Sequence, residues 1–82
     1  MKAKYEKNGD AAYIYLVKES HSHSVKATYE CDLSDIEKNY GIAPILGMIN
    51  LDFDEEGHLL GIEIIGAKRI LPRDLVEGAE SY

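Results

Sequence analysis

Residues 46–65 read LGMINLDFDEEGHLLGIEII and carry the clearest structural pattern in the chain. Between residues 46 and 54, apolar side chains alternate with others at the period of two that is typical of a β-strand. A second apolar run covers residues 59–65, and acidic residues followed by Gly57 separate the two runs as a turn does. The stretch therefore predicts an antiparallel hairpin.

Two registers are open for this hairpin, and the first follows from matching the apolar faces. A two-residue Glu55-Glu56 loop would place Leu51 opposite Leu60 and Ile49 opposite Ile62. Such a loop requires positive φ at both central residues, which glutamate tolerates poorly.

The second register follows from the chemistry of the turn and is the one we favour. A type I turn with Gly57 in the left-handed region makes a bulged loop, which places Phe53 opposite Leu59 and Asn50 opposite Ile62. A slip of one residue exchanges the side chains between faces, so both faces of the sheet would carry apolar groups. One face would then need a cover, either from the C-terminal segment or from a second chain.

The N-terminal part of the chain predicts another hairpin. Residues 2–6 alternate in polarity, Lys7-Asn8-Gly9-Asp10 supplies a turn, and residues 11–17 form a Tyr- and Ile-rich strand. In that strand Ala12, Ile14 and Leu16 point one way, and Tyr13, Tyr15 and Val17 point the other.

The remaining segments complete an α+β fold. A polar loop over residues 18–24 leads to a third strand, Val25–Cys31, with one apolar face. Ser34 and Glu37 have the spacing of a capping box, which predicts a short helix over residues 35–40 ended by Gly41. Pro72 begins a helical segment that runs toward Glu77 and stops at Gly78. We expect one domain over residues 1–82: a small twisted antiparallel β-sheet of about five strands with one or two short helices, the last at the C-terminus.

Length and charge exclude several classes of protein. The chain has 82 residues and a formal net charge of -6. Its single cysteine cannot form an internal disulfide, and no apolar run approaches the roughly 18 residues of a membrane helix. Residues 52–63 carry five acids and no lysine or arginine, which would repel a phosphate backbone and attract a basic surface. We predict an acidic cytoplasmic protein that binds neither nucleic acid nor membrane.

Residues 52–63 also have the spacing of a calcium-binding loop. Acids stand at positions one, three, five and twelve, and Gly57 stands at position six. Calcium binding by such a loop requires flanking helices, whereas this segment is flanked by strand patterns. We therefore interpret it as a hairpin turn with no bound metal.

A few other side chains are candidates for metal binding or catalysis. His21 and His23 could hold zinc or nickel with a third ligand from His58, Cys31 or an acid, but their spacing matches no specific motif. Cys31 lacks an activating partner in the sequence and is predicted to lie in the core. Glu63, an acid within an apolar strand, is predicted to be exposed or paired with Lys68 or Arg69. We predict no catalytic, cofactor or metal residues.

Two stretches resemble a known family. Asp10–Leu16 and Asp52–Ile64 look like the bacterial "domain of unknown function 2283" family, and Ala67–Pro72 is similar to its C-terminal end. The resemblance implies a small, mainly antiparallel β domain without established catalytic residues. It also implies a neutralising partner role, because members are similar to small proteins sometimes encoded beside predicted toxins.

Three hypotheses for function follow. The first is a non-enzymatic protein–protein interaction module, which forms a homodimer and meets a protein partner through its acidic 52–63 region or a sheet edge. The alternative is a small-ligand or metal-binding protein that uses His21, His23 and the acids. The third is an enzyme whose site is built across a dimer interface, and we do not favour it.

Overall fold

The computed structural model describes residues 2–18 and 24–81. Its strands are β1 (Lys2–Glu6), β2 (Ala11–Tyr15), β3 (Ala27–Glu30), β4 (Met48–Phe53), β5 (Leu59–Ile65) and β6 (Glu80–Ser81). Its helices are α1 (Ser34–Tyr40), α2 (Ala67–Ile70) and α3 (Arg73–Gly78). The strands form one sheet in the order β3-β4-β5-β2-β1-β6, in which β1 to β5 pair antiparallel and β6 runs parallel to β1. The predicted α+β architecture is confirmed.

The hairpin of β4 and β5 follows the bulged register at its turn and departs from it further along the strands. Gly57 has φ +86°, and Phe53 lies opposite Leu59, as the bulged turn predicts. Between Asp52 and Phe53 the register then shifts by one residue, and Leu60 has no partner on β4. The turn therefore depends on the positive φ that Gly57 can adopt. Beyond the turn, a β-bulge at Leu60 shifts the register so that apolar residues of the two strands lie opposite each other.

The pairings predicted for the far end of this hairpin are wrong in both registers. Leu51 lies opposite Ile62 rather than Leu60, and Asn50 lies opposite Glu63 rather than Ile62. Paired residues share a face, so Ile49, Leu51, Ile62 and Ile64 lie on one side, whereas the other side is mainly polar. The expectation of two apolar faces, which supported the homodimer, is accordingly wrong.

One face of the sheet is apolar and the other is polar. The apolar face carries paired side chains of β2, β5 and β4: Ala12 with Ile64, Ile14 with Ile62, Ile49 with Ile64 and Leu51 with Ile62. The opposite face carries Tyr13, Asn50, Asp52 and Glu63, and at one end the apolar side chains of Met48 and Ile65.

The core lies under the C-terminal segment. Ala12, Ile64 and Ala67 form a buried cluster, and Ile70 and Leu71 pack against it. Leu60 is also buried, beside the bulge. The second α-helix, which the sequence did not predict, therefore covers one end of the apolar face.

Asp10 links the start of α2 to the sheet through hydrogen bonds. Its backbone has φ +49°, and its carbonyl accepts hydrogen bonds from the N–H groups of Gly66 (2.9 Å) and Ala67 (3.0 Å). Its carboxylate accepts from the Tyr5 hydroxyl (2.8 Å) and the Lys68 N–H (3.1 Å). The first hairpin and the start of α2 are thus held by one residue.

The helices differ from prediction mainly at their starts. Helix α1 begins at Ser34 without a side-chain cap, because Asp32 accepts the Ser34 N–H (3.1 Å) and hydroxyl (2.5 Å) instead. Gly41 ends the helix as predicted, with φ +65°. Pro72 lies just before α3, and none of the helices in the described ranges is long and apolar enough to cross a bilayer.

Candidate interaction surface

A hydrogen-bonded network crosses the polar face of the sheet. The Tyr13 hydroxyl on β2 donates to Asp52 on β4 (2.6 Å), and the Thr28 hydroxyl on β3 donates to the other oxygen of the same carboxylate (2.6 Å). To reach Asp52, the Tyr13 ring lies over Gly61 of the intervening strand. A Cβ at Gly61 would approach the ring to 2.5 Å, so the network depends on glycine at this position.

Tyr13 acts as a hydrogen-bond donor in this network. Burial, together with the hydrogen bond to Asp52, raises the pKa of Tyr13 well above its usual value of 10.0. The phenol therefore stays protonated at neutral pH and acts as a donor. The Asp52 carboxylate accepts one hydroxyl on each oxygen, so the network links β2, β4 and β3 across the sheet.

Glu63 belongs to the same face and takes part in a second contact. Its carboxylate accepts a hydrogen bond from the Asn50 side-chain amide (2.9 Å), the residue directly opposite it on β4. The sequence predicted that Glu63 is exposed or pairs with Lys68 or Arg69. Instead, Glu63 is half-buried and pairs with the Asn50 amide. Sequence reasoning missed this contact because it depends on the bulge.

The acids at the hairpin turn are used by the turn itself. Asp54 accepts hydrogen bonds from the N–H groups of Glu56 (3.0 Å) and His58 (2.8 Å), and the His58 ring lies 3.2 Å from its other oxygen. The backbone bond from His58 is the main reason that the pKa of Asp54 is lowered. The hairpin interpretation of residues 52–63 is confirmed, and the calcium-loop spacing belongs to an Asx-type turn.

The other residues weighed as ligands are only partly described. His21 and His23 lie outside the described residues. Within residues 2–18 and 24–81, no group of three His, Cys, Asp or Glu side chains could hold a metal ion. Cys31 follows β3 and is half-buried, rather than in the core as predicted. It lines a shallow depression with Glu37 and Ile45, and Glu37 accepts a hydrogen bond from the Ile45 N–H.

The main exposed apolar surface comes from one segment, residues 25–48, which we call the open segment. Nine large apolar side chains in the described ranges are exposed, and seven of them lie in this segment. The seven are Val25, Tyr29, Ile36, Tyr40, Ile42, Leu46 and Met48. Tyr29 is 60% exposed although it lies on the apolar side of the sheet, opposite Leu51. The sequence predicted a half-buried third strand here, whereas all four residues of β3 are exposed.

The two edges of the sheet differ. At one edge, the two residues of β6 cover β1, and Lys2 forms an ion pair with Glu80 (3.3 Å). At the other edge, β3 pairs with β4 on its inner side, and no described strand pairs with its outer side. The open segment therefore combines exposed apolar side chains with an exposed strand edge, which is a pattern of interaction surfaces.

Comparison with family models identifies one match. The model of the family described as protein of unknown function (DUF2283) matches residues 2–68, which include all of β1 to β5 and α1. Comparisons with curated proteins and with solved structures give no match.

Proposed function

We propose that this chain, which belongs to the family of proteins of unknown function DUF2283, is a non-enzymatic protein–protein interaction module. In this proposal it associates with a second copy and binds a protein partner through the open segment. Neutralisation of a toxin, which the family resemblance implies, is one form that such binding would take.

The observation that carries the proposal is the uneven burial of apolar side chains. In the described ranges, the four buried apolar side chains, Ala12, Leu60, Ile64 and Ala67, lie on β2, β5 or α2, and none lies in the open segment. Exposed aliphatic and aromatic side chains in such number are costly to leave in water, and proteins concentrate them where another surface covers them.

The acidic hairpin is a weaker candidate than the open segment. Its carboxylates at Asp52, Asp54 and Glu63 accept hydrogen bonds within the chain. Only Glu55 and Glu56 stand exposed at the tip of the turn. We therefore assign the hairpin acids to the stability of the sheet and to solubility, and the open segment to binding.

A matched pair of leucine substitutions tests the proposal. Leu46 is 59% exposed in the open segment, and Leu75 is 42% exposed in α3. Light scattering coupled to size exclusion should give a mass above 9.2 kDa for the natural chain at high micromolar concentration. Leu46→Ser should reduce that association, and Leu75→Ser should not.

A second arm covers the protein partner. The purified chain is added to a lysate of a bacterium that encodes a family member beside a predicted toxin, and bound proteins are cross-linked to it. The natural chain should retain that toxin, and the Leu46→Ser variant should not. A monomer at every concentration, with equal retention by both leucine variants, would contradict the proposal.

A further inference from the structure

We infer that the hollow between α2 and α3 binds a small organic carboxylate with an apolar body. The hollow has a volume of about 270 Å³ and is lined by Lys68 of α2 and by Arg73, Val76 and Glu77 of α3. None of these residues belongs to the open segment, so this is a second site, beyond the proposed interaction surface. Three properties support it: the way local structure builds the hollow, its apolar walls and its charge balance.

Local structure brings the four lining side chains together. Two residues separate α2 from α3, so the chain turns sharply between the helices. Arg73, Val76 and Glu77 have the i, i+3, i+4 spacing that places side chains on one face of a helix. The Lys68 N–H donates to the Asp10 carboxylate (3.1 Å), which holds the Lys68 backbone against the sheet. The hollow is therefore built on backbone that the fold already fixes.

The walls of the hollow are mainly apolar, although three of its four lining residues are charged. Val76 is half-buried, and Lys68, Arg73 and Glu77 are exposed. Long charged side chains lay their methylene stems along apolar surface and keep their charged ends in water. Apolar walls with a few charged groups are typical of small-molecule sites. Such a hollow suits a hydrocarbon body that ends in a charged group.

The charge balance of the hollow favours a monoanion. Two cationic side chains and one carboxylate line it, a net charge of +1. Within the described part of the chain, neither the Lys68 ammonium nor the Arg73 guanidinium forms an ion pair or a hydrogen bond. Both are therefore available to a ligand, and a guanidinium matches a carboxylate with two parallel hydrogen bonds. A phosphate dianion would instead meet repulsion from Glu77.

Titration of the natural full chain with hexanoate tests the inference at neutral pH and constant ionic strength. Amide nitrogen–proton spectra should show saturable shifts centred on the hollow, with a Kd of about 1 mM, as expected of so small a ligand. Hexan-1-ol has the same body without the charge, and inorganic phosphate has charge without the body. Each should bind at least about fivefold more weakly than hexanoate.

Glutamine substitutions show which charges the ligand meets. Lys68→Gln and Arg73→Gln each remove a lining cation and should weaken hexanoate binding by about three- to fivefold. Arg69→Gln is the matched control, because Arg69 is exposed beside Lys68 but does not line the hollow. It changes the net charge from -6 to -7, as the other two variants do, and should leave the Kd unchanged. Glu77→Gln should tighten the binding of hexanoate and of phosphate.

Several outcomes would overturn the inference. Shifts that do not saturate by about 20 mM, or that centre on the open segment, would remove the site. Equal weakening by all three cation variants would show that only the net charge of the chain matters. Equal binding of hexanoate and hexan-1-ol would show that the two cations do not contact the ligand. Circular dichroism of each variant checks the fold, which these exposed substitutions should leave intact.

Discussion

The two halves of this sheet are built differently. In the half formed by β1, β2 and β5, the C-terminal segment covers the apolar face of the sheet. Its Ile70 and Leu71 side chains pack against a buried cluster. In the half formed by β3 and α1, every residue of the strand is exposed, and the helix has no buried residue. The first half carries the stability of an isolated chain, and the second half carries the surface that a partner can use.

The difference follows from where the C-terminal segment lies. In the described part of the chain, residues 66–81 follow β5 and form two short helices and a strand on one side of the molecule. Nothing in the described part of the chain returns over β3. The apolar side of β3 therefore stays exposed in the described structure.

The largest test of this comparison uses two isoleucines. Ile64 is 2% exposed in the covered half, and Ile36 is 37% exposed in α1. Ile64→Ala should lower the free energy of unfolding by between about 3 and 5 kcal/mol, because it leaves a cavity among packed side chains. Ile36→Ala should cost less than about 1 kcal/mol. Urea denaturation at low protein concentration measures both, and equal losses would break the comparison.

A second test compares two aspartates with similar local partners. Asp10 and Asp32 each accept one backbone N–H and one hydroxyl. The bonds of Asp10 join β1 and α2, whereas those of Asp32 stay within two residues. Asp10→Gly should cost about 2 kcal/mol, because it leaves the half-buried Tyr5 hydroxyl without its partner, and Asp32→Gly about 1 kcal/mol or less. Glycine is chosen because Asp10 has φ +49°.

The contact between the halves gives a third test, at high pH. Tyr13→Phe removes the hydrogen bond to Asp52 and should cost about 1 kcal/mol at neutral pH. Because the pKa of Tyr13 is raised in the folded chain, its contribution is complete below pH 10.0 and is lost as the pH rises above that value. The natural chain should therefore lose more stability than Tyr13→Phe between pH 9 and 11. Parallel urea curves at the two pH values, with an unchanged difference between the proteins, would contradict this assignment.

The smallest expected effect lies at the hairpin tip, outside both halves. The pKa of Asp54 is lowered, chiefly by the backbone bond from His58, so its contribution is present above pH 3.8 and is lost as the pH falls below it. Asp54→Asn keeps an acceptor oxygen for the turn but removes the charge. We expect little change at neutral pH and a weaker loss of stability on acidification than in the natural chain, measured by circular dichroism during an acid titration.

Local patterns predicted most of the strands. The bounds of β1 and β5 agree with the alternation of polar and apolar residues, and those of β2, β3 and β4 are shorter by one or two residues at one or both ends. The left-handed Gly57 and the Gly41 helix end also followed from residue type. These features depend on neighbours in the chain, so the sequence displays their causes directly.

The candidate surface was not predicted from the same patterns. The alternation from Val25 to Cys31 indicated a strand with one buried face, but it could not show that no element covers that face. The Tyr13–Asp52–Thr28 network was not predicted for a related reason. Its members are separated by up to 39 positions in the sequence and meet only across paired strands. One sequence signal was available, Gly61 in a strand interior, which marks a close approach by another group.

The strands, the turns and the sign of the surface charge could be predicted from the residues alone, because each is set by side-chain period, backbone freedom or composition. The register beyond the turn, the bulge at Leu60 and the open side of the sheet depend on contacts between distant segments. The physical reason is that burial is a property of the whole chain. A bulge is stable when it brings Ile62 and Ile64 into one core, and a surface is open when no other segment reaches it.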